Sequence, residues 1–183
     1  MKKIIIAVAA LAASAGIGYA AGAATNIPDI STLNAKAMQL VVPDLDKIKW
    51  GPAAGLEGTD SYTLVGDAGK PGFYVVLNRF HPGYFSHPHY HANDRYIMVL
   101  SGTWWAATGG KDDPEHITVP IKAGSFAIHK GKEVHYDGAR AGQQDAIVMI
   151  FGEGPGTRHE CYGPTAEKGP GPCQDAMKAA GVN

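Results

Sequence analysis

Gly83-Tyr84-Phe85-Ser86-His87-Pro88-His89-Tyr90-His91 is the stretch that decides how this chain folds and where its chemistry lies. His89 and His91 stand two apart, so an extended backbone points both imidazoles to one face. His87 has the same phase, and Pro88 favours the extended conformation there. A further histidine, His135, ends the segment that starts at Gly124. Two strands that bring His89, His91 and His135 together would make a site for a divalent metal inside a β fold.

Working outward, Phe73 to Phe80 is rich in β-branched and aromatic residues, as strands are. Arg95 to Leu100 and Thr103 to Thr108 read as strands joined by a tight turn at Ser101-Gly102. His116 to Ile121, Ser125 to Ile128, Val134 to Tyr136 and Ala146 to Phe151 complete the set. Short strands punctuated by glycine indicate an all-β closed sandwich or barrel. With Gly 24 and Pro 12, the composition excludes a helix bundle. Trp104-Trp105 puts one indole on each face of its strand. Upstream, Ser61 to Gly66 is a strand followed by the turn Asp67 to Gly72. Val41-Val42-Pro43 and Ile48-Lys49-Trp50 read as short strands or as an N-terminal arm laid across the barrel, and Thr32 to Leu40 as a short helix or extended segment.

The chain opens with a basic Met1-Lys2-Lys3 and an apolar run from Ile4 to Ala13, followed by Ala21-Gly22-Ala23, a pattern signal peptidase cuts. Residues 1–23 therefore read as a signal peptide, which places the mature chain in the periplasm or outside the cell with no membrane attachment after cleavage. Residues 24–72 form the arm and first strands, 73–151 the barrel core, and 152–183 a C-terminal extension. The formal charge of -1, with no basic runs, argues against nucleic-acid binding. In an exported chain Cys161 and Cys173 read as a disulfide that staples a Gly- and Pro-rich loop.

The glycine-to-histidine spacing resembles the cupin superfamily. Its first signature is Gly, five residues, His-x-His, three or four residues, Glu, six residues, Gly. Here Gly83, His89, His91, Arg95 and Gly102 occupy those places. The second is Gly, five residues, Pro-x-Gly, two residues, His, matched by Gly124, Lys130-Gly131-Lys132 and His135. The resemblance implies a double-stranded β-helix, or jelly-roll barrel, with an N-terminal arm. It also implies a divalent transition metal (Fe, Zn, Ni, Cu or Mn) on His89, His91 and His135, since imidazole nitrogens suit these ions. Cupins commonly carry a Glu where this chain has Arg95. His87 and Glu133 are further candidate ligands; Asp94 and Asp137 look like turn formers. His129 is read as lying near the opening, and His81, His116 and His159 as structural or exposed.

Three neutral imidazoles leave a divalent ion its full charge, so the pocket favours a small anionic molecule. An inward Arg95 would clamp that anion; an outward Arg95 would pair with Asp94. Tyr96 is a candidate acid or base. The resemblance implies a dioxygenase-like enzyme acting on a small anion. The alternatives are a metal-dependent lyase or isomerase, or a non-catalytic periplasmic protein that binds a small molecule or metal. Cupins often dimerise, so the resemblance also implies a homodimer, with the arm around Val41 to Trp50 covering an exposed barrel edge.

Overall fold

The computed structural model describes residues 41–42 and 44–182. The stretch read as a signal peptide, the expected lead-in, the short helix or extended segment expected for Thr32 to Leu40, and Pro43 lie outside these residues. Among the described residues eleven strands form two antiparallel sheets. They are β1 (Gly51–Pro52), β2 (Thr59–Val65), β3 (Gly72–Phe80), β4 (His89–His91), β5 (Arg95–Ser101), β6 (Thr103–Thr108), β7 (Val119–Lys122), β8 (Phe126–His129), β9 (His135–Gly138), β10 (Ala146–Gly154) and β11 (Arg158–Glu160). Two short helices, α1 (Pro114–Ile117) and α2 (Pro172–Ala179), accompany them. The six-stranded sheet runs β1-β2-β3-β10-β5-β8, and the five-stranded sheet runs β11-β4-β9-β6-β7. Successive strands repeatedly switch sheets, the winding of a double-stranded β-helix. Among the described residues no helix is long and apolar enough to cross a membrane.

Period-two alternation builds the core. Ala146, Val148 and Ile150 of β10 point inward between less buried neighbours, and Ile97 and Val99 of β5 do the same. With Tyr74, Phe80 and Trp104 they form one apolar cluster. Trp105, on the opposite face of β6, lies under the Arg140 guanidinium at 3.8 Å. The outer face of the six-stranded sheet carries a second aromatic group, in which Tyr96 stacks on Phe126 and Phe151 and the two phenylalanines are tilted to each other.

Three segments differ from the sequence reading. Ile48 to Trp50 is not a strand; a 3-10 turn at Leu45–Lys47 precedes it, because the Asp44 carboxylate accepts the Asp46 amide at 3.0 Å. His116 and Ile117 are helical and strand begins only at Val119, since Pro114 starts a turn of helix with its φ already set. Beyond Phe151, β10 runs on to Gly154, and β11 and α2 follow.

Gly138 shows how tightly β9 is held. A Cβ there would come within 2.2 Å of the Tyr84 carbonyl oxygen and 2.7 Å of Phe85 Cα. Gly138→Ala should cost about 1–3 kcal/mol by forcing backbone apart, read as a lower urea midpoint.

Cys161 and Cys173 form a disulfide, as read from the sequence. It pins α2 beside the barrel, where the Tyr162 hydroxyl donates to the Gly110 carbonyl at 2.6 Å. Cys173→Ser should cost roughly 2–3 kcal/mol on the loop-entropy account, measured by urea unfolding.

Candidate metal centre

β4 is three residues long and fully buried. His89 and His91 project from it to the barrel interior, and His135 of β9 stands directly across from His89 in the register. The ring centroids of His89 and His135 are 4.6 Å apart, those of His89 and His91 5.1 Å, and those of His91 and His135 5.6 Å. The nitrogens of the three residues lie within 4.8 Å of one another.

Backbone carbonyls decide which nitrogen of each ring is free. Nδ1 of His89 donates to the His87 carbonyl at 2.8 Å, and Nδ1 of His135 to the Glu133 carbonyl at 2.9 Å. Nδ1 of His91 donates to the carbonyls of Gly156 and Thr157 at 3.1 and 3.2 Å. With the proton held on Nδ1, each Nε2 keeps its lone pair. The Nε2 atoms of His91 and His135 are buried and have no hydrogen-bond partner. Buried polar atoms are almost always satisfied, so converging lone pairs without partners fit a transition ion as their missing contact. Burial and the nearby positive charge of Arg95 push His91 down to about 2 and His135 to about 3. Burial also takes His89 well below its usual range. All three are neutral at pH 7, the state a metal requires.

A fourth histidine is inside. His129 of β8 is buried, and its ring lies 3.7 Å from that of His135, centroid to centroid. A guanidinium nitrogen of Arg95 donates to its Nδ1 at 3.0 Å, so the His129 proton sits on Nε2, 3.9 Å from an Asp137 carboxylate oxygen. His129 thus has the opposite tautomer from the other three. His129, His135 and Asp137 form a second cluster of closely spaced donors. Asp137 is not in a turn: it lies within β9, and burial raises its pKa while Arg95 and Arg158 pull it down.

Arg95 points into the barrel, half-buried, with its Nε shielded from solvent. Asp94, its alternative partner, faces Lys130 at 3.6 Å and accepts the Gly131 amide at 2.7 Å. Below the histidines lies a cavity of about 50 Å³ bounded by His89, His91, Asn78, Arg95, Asp137 and Arg158.

The remaining sequence candidates stand apart from this cluster. Tyr96 is one residue past Arg95 and so faces outward, stacked on Phe151 at 5.6 Å. It cannot serve as acid or base at the histidines. Glu133 offers the site only its carbonyl; its side chain is exposed. The His87 ring is exposed and paired with Asp112 at 2.5 Å. Its Cα has the phase of His89, but it precedes the strand and turns to solvent. Sequence reasoning missed Arg158 of β11, which pairs with His91 in the register and so faces the same way.

A double-stranded β-helix with inward histidines on adjacent strands of one sheet defines a class of proteins. Among solved structures, the polyketide cyclase RemF from Streptomyces resistomycificus aligns at TM-score 0.50 and 19% identity, over 62% of this chain and 79% of that one. A cupin-like protein from Thermotoga maritima aligns at 0.46 and 21%, over 66% and 84%. A Klebsiella pneumoniae protein with a double-stranded β-helix domain aligns at 0.44 and 24%, over 64% and 90%. No family model and no curated protein matches the sequence. The chain has the fold of the cupin superfamily.

Proposed function

We propose that this protein is an exported metal-dependent cupin that acts on a small anionic molecule in a dioxygenase-like reaction. The observation that carries the reading is the set of Nε2 lone pairs on His89, His91 and His135, turned together by backbone carbonyls with no carboxylate among them. An ion held there would supply Lewis acidity and, if it is iron, electrons for O₂ chemistry. The chain's own part is to keep the imidazoles neutral, exclude bulk water and offer Arg95 to the anion. The disulfide supports export, because such bonds persist in oxidising compartments.

Asp137 supports a second reading, a lyase or isomerase. It borders the inner cavity, whereas Tyr96 does not, so the base in that case is a carboxylate. Oxygen consumption by the iron-loaded protein, assayed against a panel of small carboxylates, separates the two. Uptake coupled to loss of one carboxylate supports the first. Turnover without uptake, with zinc or nickel as effective as iron, removes it.

A further inference from the structure

We propose that Arg95 and Arg158 form a two-armed seat for a compact carboxylate of the size of formate or acetate, and that Arg158 guards its entry. The inference deepens the reading above, resting on its anionic substrate and adding the size of that anion and a second recognition residue.

Arg95 turns its guanidinium into the cavity below the histidines, where the buried Asp137 carboxyl on the same wall attracts it. Its guanidinium donates to a neutral histidine, its Nε has no partner at all, and among the described residues no carboxylate forms an ion pair with it. A shielded guanidinium nitrogen with no acceptor is costly, and the cavity it shares with the second guanidinium, that of Arg158, has room for an acceptor anion. Asp137 is the one carboxyl on that cavity; its carboxylate oxygen lies 3.9 Å from His129 Nε2, and among the described residues it forms no ion pair with either arginine.

Arg158 approaches the same cavity from the other sheet. The two strands β4 and β11 pair antiparallel, with Arg158 opposite His91 and Glu160 opposite His89. Arg158 is held by Glu160 through two parallel hydrogen bonds, one of them at 3.1 Å. On its far side opens a vestibule of about 340 Å³, lined by Tyr84, Phe85, His87, Glu160 and Tyr162. Arg158 and Leu56 line both spaces, so they are the partition between them. An anion arriving through the vestibule meets Arg158 first and competes with Glu160 for its fork of donors. Moving inward, it reaches Arg95 beside His89 and His91.

Size follows from volume. A water needs roughly 10–15 Å³ of such space. The inner cavity, at about 50 Å³, thus takes about four heavy atoms, a carboxylate with one further carbon and no ring.

Calorimetric titration of the metal-free full chain with acetate, formate and benzoate tests this. Formate and acetate should bind, with benzoate weaker by at least ~10-fold. Arg158→Gln should weaken acetate on the order of 10-fold or more, whereas Glu160→Gln, which removes the competitor, should strengthen it. A merely structural role for the pair predicts the same loss from both variants. Cobalt(II) titration of each variant, followed by visible absorption, reports the histidine set and shows that the barrel is folded. Cobalt binding without acetate binding overturns the seat and leaves the metal reading standing. Acetate binding without cobalt binding does the reverse. Benzoate binding as well as acetate, or an unchanged affinity in Arg158→Gln, also overturns the seat.

Discussion

His91→Ala should strip the purified protein of its divalent ion. Altering residues that merely orient a ligand commonly costs about 10–100-fold in metal affinity, and removing a ligand should cost more. Stability should follow. An ion at 1,000 times its dissociation constant stabilises the native state by about 4 kcal/mol, and for a domain of this size that is a rise in Tm of about 10 °C. Thermal melts with and without zinc or cobalt should show that rise in the native sequence and lose it in His91→Ala. His87→Ala and Glu133→Ala should keep it, because both side chains turn to solvent. A His91→Ala protein that still carries one ion per chain would remove His91 from the ligand set.

The second large effect is acid lability of the metal-free protein. His91 and His135 are held at about 2 and about 3 inside the barrel, and His89 and His129 are depressed by burial as well. An unfolded histidine takes its proton near pH 6.5. Between that value and the folded one the unfolded state binds more protons, so stability falls as pH falls. Above pH 6.5 the term vanishes; below about pH 3 it is at its full unfavourable size for His135. Each such histidine costs ~1.4 kcal/mol per pH unit, so His91 and His135 together cost ~3 kcal/mol per unit. Against a usual total of about 5–15 kcal/mol, the apo protein should unfold at mildly acidic pH. A bound ion competes with those protons and should move the midpoint lower. Circular dichroism across pH 7 to 4 checks both statements. A metal-free protein as stable at pH 4 as at pH 7 would mean that the histidines are not buried in neutral form.

The outline of the site was legible because metal-ligating geometry leaves a local trace. His89 and His91 sit two apart in a short extended run, and glycine spacing places His135 on another strand. The long strands were equally legible, since Phe73 to Phe80 and Ala146 to Phe151 are dominated by β-branched, aromatic and other apolar residues. What escaped notice depends on long-range pairing. Asp137 follows the expected strand Val134 to Tyr136 as a residue type that favours turns, and only pairing with β6 makes it a buried strand residue. His129 is one residue beyond the apolar Phe126 to Ile128, and its depth comes from pairing opposite Arg95. Arg158-His159-Glu160 has no apolar alternation; it becomes a strand because β4 offers an edge to it. His159 then stacks on Tyr90 at 4.5 Å, which closes the outer face of the same ladder. α2 is marked by Pro172 at its start, a signal hidden among neighbouring prolines and glycines.

The edge pairing of β11 on β4 sets the smallest portable version of this centre. A transplant of residues 73–151 onto another scaffold would bring all three imidazoles yet lose the Gly156 and Thr157 carbonyls that orient His91. It would lose Arg158 too, and with it one wall of the inner cavity. Anyone borrowing this pocket for design must carry the chain onward through Cys173, whose bond to Cys161 anchors the borrowed wall.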